Sequence, residues 1–231
     1  MSAIAPHWQI EIGEICADLN IGVTPVQTAK LAQYLALLGR WNRTYNLTAV
    51  RDPAAMLTQH LADCLAVLPA LQRRWPPEAD GSSRRILDVG SGGGLPGVVL
   101  ALFLPQATVV CADAVGKKMA FVRQVAGTLA LPNLHALHAR IEALKAPPFD
   151  LITSRAFASL EDFVVLTTAH LAPNGVWMAM KGRVPEDEIA ALTPQIEVFH
   201  VEQLHVPGLD AQRCLVWMRL APDGRSDAEK I

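Results

Sequence analysis

Apolar residues change their spacing once along this chain. Up to residue 75 they recur at helical intervals; beyond residue 84, short apolar runs alternate with helical stretches. Leu31, Tyr34, Leu35 and Leu38 fall at 3.6-residue spacing behind Thr24-Pro25-Val26-Gln27, a capping box with proline at the first helical position. Asp52-Pro53 opens a further helix, with Met56, Leu57, His60, Leu61 and Leu65 on one face. Residues 75–83 are rich in Pro, Gly and Ser and read as a linker. After it the pattern predicts strands over 85–89, 107–112, 134–137, 149–153, 176–180, 196–205 and 213–220. Helices are predicted over 95–104, 116–129 and 160–171. Between the last two strands there is only the turn Val206-Pro-Gly-Leu-Asp210, so they should form an antiparallel hairpin. The whole predicts an α/β fold: a Rossmann-like, doubly wound, mostly parallel sheet with that final hairpin, preceded by a helical region. The expected boundaries are helical region 1–75, linker 76–84, α/β domain 85–221 and polar tail 222–231.

Composition narrows this picture only a little. With 231 residues, 51% hydrophobic and 18% charged, the chain can bury a sizeable core. Its net charge of −2 does not announce a nucleic-acid partner, which would have to be met by local basic patches. The cysteines at 16, 64, 111 and 214 have neither C-x-x-C spacing nor histidines at finger spacing. Reduced thiols are expected, and no metal. The N-terminus has no basic segment and carries Glu11 and Glu14 where a leader would be apolar. The most apolar run, Val98 to Leu104, stops at Pro105 and is too short to span a bilayer. A soluble, cytoplasmic protein without membrane contact is expected.

The candidate chemistry lies in Asp88-Val-Gly-Ser-Gly-Gly-Gly-Leu-Pro-Gly97, five glycines in ten residues directly after a predicted strand. Two frames fit. Gly92-x-Gly94-x-x-Gly97, with Asp113 about 20 residues on, matches a dinucleotide fingerprint. Gly90-x-Gly92-x-Gly94 matches a methyl-donor loop. In a dinucleotide fold the first fingerprint glycine directly follows the strand. Here Gly90 does so, and it lies outside the dinucleotide frame. A carboxylate at Asp88 would repel a pyrophosphate but could hold an ammonium. S-adenosylmethionine carries an ammonium and a sulfonium and no phosphate, so the loop favours it. Gly92 and Gly94 would leave room for the ligand, Gly97 would pack the helix, and Asp113 could accept ribose hydroxyls in either frame. Arg155 and Lys181 each end a predicted strand at the ligand edge and are the residues nominated for catalysis. His60, on an apolar helix face without a partner motif, reads as a core histidine, and Trp41 as packing rather than a base-stacking platform.

ILDVGSGGGLPG, DAVGKKMAFVR, ARIE, FDLITSRAFASL and MKGR, together with the N-terminal LLGRWNRTYNLTAVRDPAAMLTQHLADCL, resemble the RsmG (GidB) family from about Leu37 to Arg183. The resemblance implies a class I, S-adenosylmethionine-dependent methyltransferase acting at N7 of one guanine in the decoding-region loop of bacterial 16S ribosomal RNA. By matching motif it places Gly90, Leu95, Ile141, Glu142 and Arg155 along the donor, with Asp113 at the end of the second strand. Its implied partner is 16S rRNA or the small ribosomal subunit, and a monomer is expected. The chain departs from the family at Ala114 and Cys64, where a serine is frequent; neither departure removes a charge.

Guanine N7 has a free lone pair, so its methylation loses no ring proton and needs no general base. The sequence agrees by omission. Ala146-Pro-Pro-Phe149 lacks the amide or carboxylate of an amino-methyltransferase motif and precedes its strand, and no cysteine follows a proline as a cytosine C5 nucleophile would. Two other readings stay open on the residues alone: a short NAD-dependent oxidoreductase, and a module that binds the methyl donor without transferring it.

Overall fold

The computed structural model describes residues 6–76, 81–155, 157 and 159–222. Four of the linker residues, 77–80, and the tail from 223 onward lie outside the described residues. Helices α1 (Pro6–Asp18), α2 (Pro25–Tyr45) and α3 (Pro53–Met56) come first. A π-helical turn, Leu57–Ala62, continues α3 into α4 (Asp63–Leu65) and then α5 (Leu68–Arg74). The α/β part follows as β1 (Arg85–Val89), α6 (Gly97–Phe103), β2 (Thr108–Asp113), α7 (Gly116–Thr128), β3 (Leu134–His138), β4 (Phe149–Ser154), α8 (Leu160–Thr167), β5 (Leu171–Lys181), α9 (Glu186–Ala190), β6 (Ile196–Leu204) and β7 (Arg213–Leu220).

The seven strands form one sheet in the order β3-β2-β1-β4-β5-β7-β6. β1 to β5 pair in parallel, and β7 runs antiparallel to both β5 and β6. The predicted hairpin is therefore present, but its second strand slots between β5 and β6. Two features depart from the sequence pattern. The helix predicted to reach residue 171 stops at Thr167 and closes in a 3-10 turn, because Leu171 is already paired with Phe149 of β4. Short α9 was not predicted; its five residues bury no side chain and so leave no apolar stripe to read.

Period-2 alternation in the central strands feeds two cores. Ile86, Val109, Cys111, Met178, Met180, Leu215 and Trp217 face one side, where α2, α6 and α7 and the π turn pack. Leu87, Val89, Val110, Ala112, Trp177, Ala179, Val216 and Met218 face the other, under α8. The N-terminal helices thus share their core with the sheet. The 22-residue stretch Pro53–Arg74 is long and apolar enough to cross a membrane, more so than the run at Val98–Leu104; here 67% of its most apolar window is buried inside the fold. It serves as a core helix.

Polar fastenings hold α2 against the sheet edge. The capping box forms as predicted: the Gln27 backbone N–H donates to Thr24 Oγ1 at 3.2 Å, and the Thr24 N–H to Gln27 Oε1 at 2.9 Å. Further along, fully buried Tyr34 donates its hydroxyl to the Gly93 carbonyl at 2.9 Å, tying the helix to the glycine loop. Trp41 packs edge-on against Phe121 of α7 and donates to Gln124 Oε1 at 3.0 Å, the packing role expected of it.

Gly97 is the tightest point between α6 and the sheet. A Cβ there would overlap Cys111 Sγ and stand 3.0 Å from Asp88 Oδ2. Gly97→Ala should cost about 2–3 kcal/mol by overpacking, seen as a fall in Tm of roughly 5–10 °C in thermal denaturation. Adding Cys111→Ala should restore part of the loss by making room; no loss in the single variant would contradict this packing.

Candidate active site

The carboxyl ends of β1, β2, β4 and β5 meet at one edge of the sheet, and so does the start of antiparallel β7. The glycine loop turns off β1 there. Gly90 and Ser91 both donate their N–H to the Ala112 carbonyl, at 2.8 and 3.2 Å, and Gly92 N–H reaches Asp113 Oδ2 at 3.1 Å. Gly92 has φ +58°, and nothing stands within 4 Å of where its Cβ would be. A side chain would be strained and would fill the space a ligand needs.

That space is a cavity of about 510 Å³. Gly90, Gly92 and Leu95 of the loop form one wall, with Arg155 and Lys181 across from them. The π turn supplies the remaining side through Gln59 and His60, followed by Asp63 at the start of α4. Asp63 is buried and bonded through both oxygens: Arg155 Nη1 donates to Oδ2 at 3.0 Å and Arg213 Nε to Oδ1 at 2.9 Å. Burial works against the charge on Arg155. The bonded Asp63 carboxylate opposes it and holds the guanidinium charged. Lys181 Nζ donates to Glu188 Oε2 at 2.8 Å, and the same oxygen accepts the Leu160 N–H at the start of α8.

His60 is half-buried and lies on the cavity wall, not in the core as its apolar helix face suggested. The widened π turn changes the facing that an unbroken α-helix would give it. Its Nε2 lies 2.7 Å from Thr48 Oγ1. Burial first, then the charge of Arg155, push its pKa below the ordinary value, so the ring is neutral at physiological pH.

Of the residues nominated from sequence for the donor, Gly90, Gly92, Leu95 and Arg155 line this cavity, as does Lys181. Asp113 does not line the cavity but holds the loop that does. Its Oδ1 accepts the Val115 N–H at 2.8 Å and its Oδ2 holds Gly92. Ile141 is buried in the second core, and Glu142 is exposed beside it in the 3-10 turn that follows β3. Gly94 does not line the cavity; it has φ +85°, and a Cβ there would sit 3.0 Å from both Val98 and Val122.

Asp88 needs the larger correction. It has no exposed surface and does not line the cavity, so the ammonium-holding reading does not match its position. Period-2 alternation turns it beneath α6, where Oδ2 accepts the Gly97 N–H at 2.8 Å and the Cys111 thiol, while Oδ1 has no partner among the described residues. Residues missed in the sequence are Asp63 and Arg213. Asp63 offered a signal, a lone charge inside the apolar run Leu61-Ala-Asp-Cys-Leu65; Arg213, at the first position of the last strand, offered none.

The rRNA small subunit methyltransferase G (GidB) family model matches residues 27–216. The chain belongs to this family. "Ribosomal RNA small subunit methyltransferase G" of Methylibium petroleiphilum is 59% identical over 200 residues, 87% of this chain and 89% of that protein. The protein of the same name from Acidovorax ebreus is 55% identical over 205 residues, covering 87% and 90%. Among solved structures, TrmN from Thermus thermophilus superimposes with a TM-score of 0.55 at 22% identity, over 71% of this chain and 53% of its own. A ribosomal protein L11 methylase from Lactobacillus delbrueckii gives 0.52 at 15%, over 68% and 77%. These two show the fold alone. Family membership makes the chain a methyltransferase with a donor of the S-adenosylmethionine type, and it favours neither the dinucleotide nor the non-catalytic reading.

Burial pushes the Asp88 pKa up to about 7, although the Gly97 N–H and the charge of Arg155 oppose it. Folding thus raises this pKa above its unfolded value of about 4, and the folded state keeps a proton that the unfolded chain releases. The contribution to stability is full below pH about 4 and is lost as pH rises through about 7. Asp88→Asn cannot titrate. Its Tm relative to the natural protein should therefore climb by roughly 5 °C between pH 4 and pH 8; a constant difference across that range would rule the assignment out.

Proposed function

We propose that this chain transfers a methyl group from S-adenosylmethionine to N7 of a guanine in 16S ribosomal RNA of the bacterial cytoplasm, on the free RNA or on the small subunit. The observation that carries this reading is the cavity between the glycine loop and the Arg155 and Lys181 strand ends, whose acidic lining among the described residues is already paired. Asp63, the acidic residue of that wall among those described, is bonded through both oxygens to arginines. Methylation of an exocyclic amine or a hydroxyl would need a base to take a proton; attack by the N7 lone pair needs none.

The residues present fit the donor. Backbone at Gly90 and Gly92 offers a close approach for its methionine end, Arg155 a cation for its carboxylate, and Asp113 an acceptor beside the loop for the ribose. Ile141 and Glu142 follow β3 on the same edge, where the adenine would lie. When bound, S-adenosylmethionine supplies an electrophilic methyl, and positive charge moves from sulfur to purine without a net change. The chain's own work is to orient the base in line with the methyl and to exclude water, with Leu95 and Met180 as apolar wall. Lys181, fixed by Glu188, frames the entrance on the β5 side.

Two measurements test this. Tritiated methyl transfer to small subunits and to free 16S RNA from cells lacking the protein should yield 7-methylguanine on mass mapping; its absence from both would refute the reading. Arg155→Ala should lower kcat/KM by roughly 100-fold or more while circular dichroism stays native. Full activity in that variant would remove Arg155 from the site.

A further inference from the structure

The cavity does not end at its own mouth. A second concavity of about 770 Å³ adjoins it, lined among others by Arg183 and Gln212 and by the acids Glu186, Asp187 and Glu188. Lys181, Gly182 and Arg213 line both spaces and so form the rim between them. Lys181 is matched by Glu188, whereas Asp63 is one carboxylate shared by two guanidinium groups.

Of the two arginines, Arg155 lines the inner cavity and Arg213 both. Arg213 is also the better placed to bind an outside anion. Its Nε is fixed on Asp63, and its Nη1 donates to the Gln212 carbonyl at 2.8 Å. Its Nη2 has no partner among the described residues, and the side chain is 26% exposed. A guanidinium held by two nitrogens keeps one face of its fork in a fixed direction, the arrangement that suits a phosphodiester.

We propose that Arg213 holds the backbone phosphate of the nucleotide whose base enters the cavity. The inference rests on the RNA reading above and deepens it. A base can reach a cavity of this size only when turned out of its stack, and its phosphate then stays at the rim while the strand continues across it. Asp63 acts here as a positioning residue. It fixes Arg213 at the rim and Arg155 inside, so that one carboxylate sets the distance between phosphate and methyl.

The experiment uses the full chain, small ribosomal subunits that lack the modification, and S-adenosylhomocysteine as probe of the donor site. Arg213→Gln should raise KM for subunits about tenfold with kcat nearly unchanged. It should reduce the slope of log affinity against log salt by about 0.7, the loss of one single-strand phosphate contact, and leave S-adenosylhomocysteine affinity intact. Arg213→Lys keeps a cation on Asp63 and should keep the slope while KM rises about threefold; it carries the test if Arg213→Gln does not fold. Unchanged KM in either folded variant overturns the assignment. So does a loss of S-adenosylhomocysteine affinity as large as the loss for RNA, which would place Arg213 in the donor site. A natural protein that leaves the RNA unmodified overturns the RNA reading itself, and Arg213's role with it, whereas an active natural protein with an indifferent Arg213→Gln overturns the role alone.

Discussion

One buried carboxylate joins the three parts of this site. Asp63 comes from the helical layer, Arg155 from the end of β4 and Arg213 from the start of β7, and both guanidinium groups meet on it. A buried charge without its partner typically costs 3–5 kcal/mol, so neither arginine nor the acid can be lost cheaply. The interaction is better understood as geometric than as stabilising. A buried ion pair contributes little net stability over an apolar replacement, but it fixes direction. Here it fixes two cations on a cavity that the glycine loop closes from the other side.

The loop is fixed just as firmly, from beneath and from the flank. Asp113 and the Ala112 carbonyl take its backbone N–H groups, and Tyr34 of α2 holds the Gly93 carbonyl. Under it, Asp88 and Cys111 leave room at Gly97 for no side chain. The donor-side wall is therefore a rigid strip of backbone whose position depends on the helical layer as much as on the sheet. This explains why the N-terminal helices share a single core with the parallel strands rather than forming a separate lobe. Rigid positioning also suits the chemistry of a lone-pair nucleophile, for which orientation and water exclusion supply what a base would supply elsewhere.

Much of this was legible without coordinates. The change of apolar period set the order of helices and strands, because side chains alternate in strands and repeat every 3.6 residues in helices. The register of Gly90 against the end of β1 separated a methyl-donor loop from a dinucleotide fingerprint, since a loop glycine acts only where the strand stops. Thr24 and Gln27 announced their own cap because that interaction is local. Arg155 and Lys181 could be nominated because the carboxyl ends of parallel strands always converge.

What the sequence by itself determined was therefore local: periods, caps, turns, and the loop that follows β1. Tertiary structure decided which way each functional side chain faces and what it meets. Asp88 looked like a ligand-facing acid, but one step of strand alternation buries it under α6. His60 looked like core, but a π turn places it on the cavity wall. Arg213 gave no signal at all, because its place at the rim depends on β7 inserting antiparallel between β5 and β6. Asp63 and Arg213 stand 150 positions apart in the chain. No period or motif encodes a contact at that separation; only the packing of helices on a closed sheet order brings the two charges together.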